Sequence, residues 1–310
     1  MRSGWSGPAC VLIGLTAPCL RAQTIEDGLL LPRKTLVTGV LYSHDSWDHY
    51  WEGTLKRVNG NIGTVTTQTA VWSGSYGVSN RLNLIANVPF VSTAASQGVL
   101  QGMSGLQDLT LAAKYRLLET PFTEVGSIRA IAVLSGSIPL SRYTPDFQPL
   151  SIGLASKRVS GRFTADFRAK SGWFLTGSTA YTWRGKVTLD RPYYYTDGQL
   201  FLSNEVAMPD VFNYNLGFGY SRGGLMVPIT FAGQRTLGGG DCRRQDMPFV
   251  SNRMNFSKVN AIVMYQLPKI RNLSTQFAYG YTIDGRNVGQ GTTLTMGLLY
   301  TLSFGSPTTP

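Results

Sequence analysis

The spacing of strand-like segments constrains this chain more than any single motif. Twelve stretches alternate apolar and polar side chains with a period of two, and each ends at Gly, Asn, Asp, Ser or Pro. They cover 34–44, 64–77, 81–92, 106–118, 127–140, 160–170, 173–184, 211–221, 224–236, 253–267, 272–283 and 292–305. The links between them alternate in length. Short links fall at 77–80, 119–125, 171–172, 222–224 and 268–272, and long ones at 45–63, 93–105, 141–159, 185–210, 237–252 and a modest 284–291. A soluble sandwich has no reason to sort its loops this way, whereas outer-membrane barrels carry short periplasmic turns and longer extracellular loops. Segment length agrees: soluble strands average about five or six residues, and a tilted strand needs about nine to eleven to cross a bilayer.

The stretch GLQDLTLAAKYRLL (105–118) shows the two faces. Leu109, Leu111, Ala113, Tyr115 and Leu117 share one side of an extended strand, while Asp108, Thr110, Ala112, Lys114 and Arg116 share the other. In GWFLTGSTAYTWRG the outward set is Trp173, Leu175, Gly177, Thr179, Tyr181 and Trp183, with rings at both ends, as in an interfacial girdle. Charged residues make up 15%, against about 25% in soluble domains. No run of about 18 apolar residues occurs, so strands rather than helices must cross any membrane.

Residues 1–22 place Arg2 before an apolar stretch from Ala9 to Leu20 and end on Ala22, the pattern of a secretory signal peptide. Its removal takes Cys10 and Cys19, leaving Cys242 and no internal disulfide. The expected organisation is a signal peptide at 1–22, an N-terminal periplasmic segment at 23–33, an outer-membrane β-barrel at 34–305 and a tail at 306–310. In the last segment Thr295, Gly297, Tyr300 and Leu302 resemble the C-terminal signal by which outer-membrane barrels are recognised for assembly, although GSPTTP follows Phe304.

The formal net charge is +11, or +9 once Arg2 and Arg21 leave with the signal. Nucleic acid is an implausible partner for an exported barrel, and the charges have another address. The inward face of three consecutive strands carries Lys114, Arg116, Arg129, Arg168 and Lys170 near the periplasmic end of one wall. These five are the candidate substrate-binding residues. Opposed charges on that wall, Asp108 and Asp166, are fewer.

The two histidines lie in YSHDSWDHYWE (42–52), where His44, Asp45, Asp48 and His49 could hold a divalent metal or act as acid and base at the extracellular mouth. They show no regular ligand spacing and no accompanying nucleophilic motif, so the chain reads as no enzyme and as needing no cofactor. The glycine-rich GGGD (238–241) and GQGT (289–292) open no helix after a strand and do not cradle phosphate. Tyr193, Tyr194 and Tyr195 could form an exposed aromatic platform on the fourth long loop.

GVSNRLNLIANVPFV (77–91) and GLQDLTLAAKYRLL together resemble the paired signatures of the outer-membrane transporter family named for the meta-pathway of phenol degradation. Gly77, Arg81, Leu82, Pro89, Gly105, Asp108, Lys114 and Tyr115 carry the resemblance, and Gln107 stands where glycine is common. It implies a barrel in a Gram-negative outer membrane and uptake of small aromatic or hydrophobic molecules, with no catalytic residues.

The sequence therefore reads as an all-β transmembrane barrel of about twelve strands with a narrow lumen, for passage or binding of a small aromatic or anionic molecule. Its expected partners are outer-membrane lipids, the solute and the barrel assembly machinery. Two alternatives stay open at this level: an outer-membrane lipid or peptide hydrolase with its site at the mouth, and a secreted soluble all-β binding module.

Overall fold

The computed structural model describes residues 23–196, 198–243 and 250–304; the expected signal peptide and tail lie outside them. Twelve long antiparallel strands form one sheet: β1 Thr35–Trp47, β2 Val65–Gly77, β3 Leu82–Ala95, β4 Asp108–Phe122, β5 Gly126–Pro139, β6 Arg158–Ala169, β7 Trp173–Arg184, β8 Val211–Arg222, β9 Leu225–Thr236, β10 Asn255–Gln266, β11 Leu273–Arg286 and β12 Thr292–Ser303. Each pairs with its sequence neighbour. The first also pairs with the last, from Thr35 opposite Ser303 to Ser46 opposite Thr292, so the sheet closes on itself. Closure leaves no edge strand in the wall and satisfies the backbone within it.

Alternation sorts the side chains as the sequence requires. Val40, Trp72, Leu84, Leu111, Leu134, Leu216, Phe218 and Leu298 face outward and are each 47–63% exposed. Their neighbours Ile85, Ala112, Val133 and Leu299 point inward and are buried. An apolar band of this extent all around a closed barrel is stable in lipid and not in water, which removes the soluble-module alternative and places the chain in the outer membrane. Near the short-turn end Trp173 stacks on Phe218, ring centroids 5.1 Å apart, and meets Tyr220 edge-on at 5.2 Å, part of the expected girdle.

The short links make tight turns. Gly223 and Gly224 join β8 to β9 with φ of 61° and 82°, the positive values that a two-residue hairpin in a twisted sheet needs at both positions. The β4–β5 turn is shorter than the sequence suggests, because a register shift between Arg116 and Leu118 carries β4 on to Phe122. Both ends of the barrel, Thr35 and Ser303, lie at this short-turn side, the periplasmic one by loop length.

The long loops fold back over the other end. A hairpin of His49–Glu52 with Leu55–Val58 docks on the last loop, where Trp51 N donates to Val288 O at 2.9 Å and Gln290 N to His49 O at 2.8 Å. The fourth long loop packs Val187, Leu189, Tyr194, Val206 and Met208 around Val250.

Candidate functional site

Residues 23–31 lie inside the barrel. Leu29 and Leu31 pack on Val37, Phe174, Met226, Met264 and Leu299 on one side of the lumen, while Ile25 and Leu30 pack on Ile85, Ala112, Ile131 and Val133 on the other. These inward apolar groups would be wet in an empty barrel, so burying them under the segment favours docking. Polar anchors fix its register. Lys114, with no exposed surface, donates from Nζ to Asp27 Oδ1 and to Thr24 O, both at 2.8 Å. Glu26 accepts from Arg162 at 3.3 Å and from Asn215 at 3.0 Å, and the Gln23 and Asn83 amides meet at 2.9 Å. Gly28 passes so close to the wall that a Cβ there would lie 2.0 Å from Asp166 Cγ. The sequence reading placed 23–33 outside the barrel as a periplasmic segment. It comes from that side but occupies the lumen, because the inward apolar patch needs a cover and the strands themselves supply none.

Of the five basic residues expected to bind substrate, Lys114, Arg116, Arg129 and Arg168 lie on neighbouring strands and Lys170 in the turn after β6, and each meets an acid. Lys114 pairs with Asp27; Arg116 and Arg129 both pair with Glu119, the latter at 2.8 Å; Arg168 Nε meets Asp166 Oδ2 at 2.8 Å; and Lys170 meets Glu124 at 3.3 Å on the exposed turn. Period-two reasoning gives the face of each side chain but not its partners, two of which (Glu119 and Glu124) lie in what the sequence suggested was a turn. Three arginines went unrecognised: Arg158, Arg162 and Arg184. Arg158 fell outside the expected strand at 160–170, and Arg184 was its strand's last residue, so neither counted as wall.

Around the segment the lumen stays partly open. A cavity of about 460 Å³ lies beside it, lined by Val37, Leu41, Val71 and Leu299 together with Ser43, Thr69, Ser73, Asn87 and Gln276. Two smaller ones, of about 230 and 160 Å³, lie on its other sides and share Glu26 with the first. Apolar walls with scattered hydrogen-bonding groups suit a small amphipathic solute.

At the mouth the loops are tied together by Asn287, which is 1% exposed. Its Oδ1 accepts from Gly53 N at 2.7 Å and from the Cys242 backbone and thiol at 3.2 and 3.0 Å; its Nδ2 donates to Asp241 Oδ1 and Arg253 O, both at 2.9 Å. Arg286 adds two bonds to Asp241 at 2.6 and 2.7 Å, and its guanidinium holds that carboxyl below the usual carboxylate range. Burial pushes the Cys242 thiol up, as expected for an unreactive thiol. A cavity of about 280 Å³ beside this clasp is lined by Trp47, Tyr50, Ile62, Pro149 and Met254.

The histidines do not form a site. The sequence reading put His44 and Asp45 in the first long loop, but β1 continues to Trp47, so the two point to opposite faces of a strand. Asp45 accepts from Thr293 Oγ1 at 2.5 Å, and among the described residues the His49 ring bonds only its neighbour Asp48, at 2.7 Å. Among the described residues no three His, Cys, Asp or Glu side chains converge. The tyrosines of the fourth loop divide as well: Tyr194 stacks on Phe201 with centroids 5.0 Å apart and is buried, while Tyr193 and Tyr195 stay exposed.

Residues 58–298 match the profile of the family described as "Putative MetA-pathway of phenol degradation". No curated protein matches the chain. Among solved structures, the COG4313 outer membrane channel from Pseudomonas putida F1 superposes with a TM-score of 0.70 at 16% identity, covering 88% of this chain and 97% of that one. The NanC porin reaches 0.43 at 9% identity, with 84% and 100% covered, and the translocator domain of the Neisseria meningitidis autotransporter NalP reaches 0.45 at 10%, with 87% and 89% covered.

Proposed function

The chain belongs to the MetA-pathway of phenol degradation family, as its match over residues 58–298 shows, and from that premise we propose that it passes a small, partly apolar solute across the outer membrane through the lumen, around the docked N-terminal segment. The observation that carries this reading is the open space beside the segment. A barrel serving only as an anchor would close on its own side chains, whereas here about 460 Å³ of mixed polar and apolar lumen stays unfilled. The channel named in the Pseudomonas putida structure supports it at the level of fold.

In this reading Lys114, Arg116, Arg129, Arg168 and Lys170 hold the segment and stitch the wall, with their effect on solute choice secondary because each already lies against a carboxylate. In this reading the chain works by passage and not by catalysis. Proteoliposome swelling tests it: vesicles holding the purified protein should swell in isotonic arabinose faster than protein-free vesicles. Equal rates would overturn the proposal.

A further inference from the structure

Above the docked segment, toward the long-loop end, three arginines converge. Arg158 opens β6 and Arg184 closes β7, directly opposite each other in the ladder, and Arg162 lies two steps further in on the same face of β6, beyond Ser160. They wall the cavity of about 230 Å³ whose floor is Ile25 and Glu26. The other polar side chains around it, Ser160, Thr182 and Asn213 among them, are neutral.

The guanidinium groups here are less fully bonded than the basic groups lower down. Arg158 reaches Asp108 at 2.8 Å and Arg162 reaches Glu26 at 3.3 Å. Arg184, though 8% exposed, bonds through its guanidinium, among the described residues, only to the neutral Gln234, at 3.3 Å. The nearby carboxylate of Asp210 is turned to the backbone N–H of Arg184, at 2.9 Å, and to the Tyr181 hydroxyl. The Nε–H groups of Arg158 and Arg184 find no acceptor among the described residues. Like charges facing each other across a strand pair oppose folding, and a desolvated guanidinium N–H without an acceptor is costly. A ligand that brings acceptor oxygens and a negative charge between the two guanidinium groups relieves both penalties.

We propose that Arg158, Arg162 and Arg184 form a docking site for a small monocarboxylate arriving from the long-loop end, an inference that rests on the reading of the lumen as a solute path. Guanidinium groups match a planar carboxylate better than a point anion, since their N–H donors lie in a fork of the same width. A carboxylate is already accepted here, because Glu26 of the segment meets Arg162 through one oxygen at the edge of the cavity, at 3.3 Å. The volume, below the roughly 300–1,000 Å³ of drug-sized sites, limits the ligand to one ring or a short chain. Glu26 also links the site to the segment, since a ligand carboxylate competes with it for Arg162.

Titration calorimetry on the full mature protein in detergent, with benzoate and the uncharged benzyl alcohol as probes, tests the site. Benzoate should bind wild type at least tenfold more tightly than benzyl alcohol. Arg184→Gln should weaken benzoate at least tenfold, Arg184→Lys by less, and Glu26→Gln should tighten it several-fold by removing the competing carboxylate. Folding of each variant is read from heat-modifiable gel mobility, and Arg184→Lys keeps the test open should the Gln variant misfold. Equal affinity for the two probes, benzoate binding indifferent to Arg184→Gln, or weaker binding to Glu26→Gln would overturn the proposal. Arabinose swelling of wild-type vesicles is read in parallel. Its failure would sink passage through the lumen, while the calorimetry still decides the site.

Discussion

Lys114 Nζ lies 2.8 Å from Asp27 Oδ1, across 87 residues of sequence, and this contact joins the barrel wall to the segment inside it. The lysine has no exposed surface and the aspartate side chain is 21% exposed, so removing either partner strands a charge away from water. Breaking a buried pair from one side costs about 3–5 kcal/mol, and replacing both partners by apolar groups costs far less. Asp27→Asn and Lys114→Met should therefore each loosen the segment, seen as faster hydrogen exchange at the Leu31 amide, and Lys114→Met/Asp27→Leu should recover much of the protection. Additive damage in the double variant would show that the pair does not hold the segment.

The lipid and lumen faces can be separated one residue apart. Val40 sits midway along β1 and is 52% exposed toward lipid, while Leu41 lines the 460 Å³ cavity. Val40→Arg should cost about 2–4 kcal/mol and cut insertion into vesicles, whereas Leu41→Arg should insert normally and shift ion selectivity. Equal loss of insertion from both would deny that the lumen is wet.

The Asn287 clasp makes a claim about the mouth and about pH. Asn287→Ala leaves the Gly53 and Cys242 donors without an acceptor, at about 1–3 kcal/mol for each buried donor, and should open the loops while the barrel persists. Cys242, the one cysteine beyond residue 22, would then react quickly with 4,4′-dithiodipyridine at pH 7, where wild type reacts slowly. Asp241 is held below its ordinary range by Arg286, so its contribution is complete above the unfolded value of about 3.9 and fades as the pH falls through the lower folded value. Wild-type Cys242 should stay protected from pH 7 to pH 5 and become reactive only in stronger acid. Loss of protection already at pH 5 would contradict this assignment.

The barrel is legible in the sequence because its two determinants are local: period two sets each side chain's face, and loop length sets which end of a strand is which. All twelve expected segments overlap the observed strands, with differences of a few residues at their ends. Those few residues cost most at the candidate site. Ending the first segment at residue 44 put Asp45 in a loop, and starting another at 160 removed Arg158 from the lumen. Alternation shows that Lys114 points inward and is silent on what it meets, because its partner is 87 residues away in a segment with no period of its own. The hint lay in composition. Glu26 and Asp27 are adjacent acids in a chain with 17 acidic residues against 28 basic ones, at the start of a segment that then turns apolar at Leu29, Leu30 and Leu31.

The central claim is that solute passes through a lumen narrowed by residues 23–31, and single-channel conductance tests it most directly. At Gly28 even a Cβ overlaps Asp166, which is itself fixed by Arg168 at 2.8 Å and Thr176 at 2.5 Å, so Gly28→Val should expel the segment without touching a strand. In planar bilayers the wild-type protein should give small unitary steps and Gly28→Val distinctly larger ones, with both proteins equally heat-modifiable on gels. Identical steps from the two, or no conductance from either, would contradict the account.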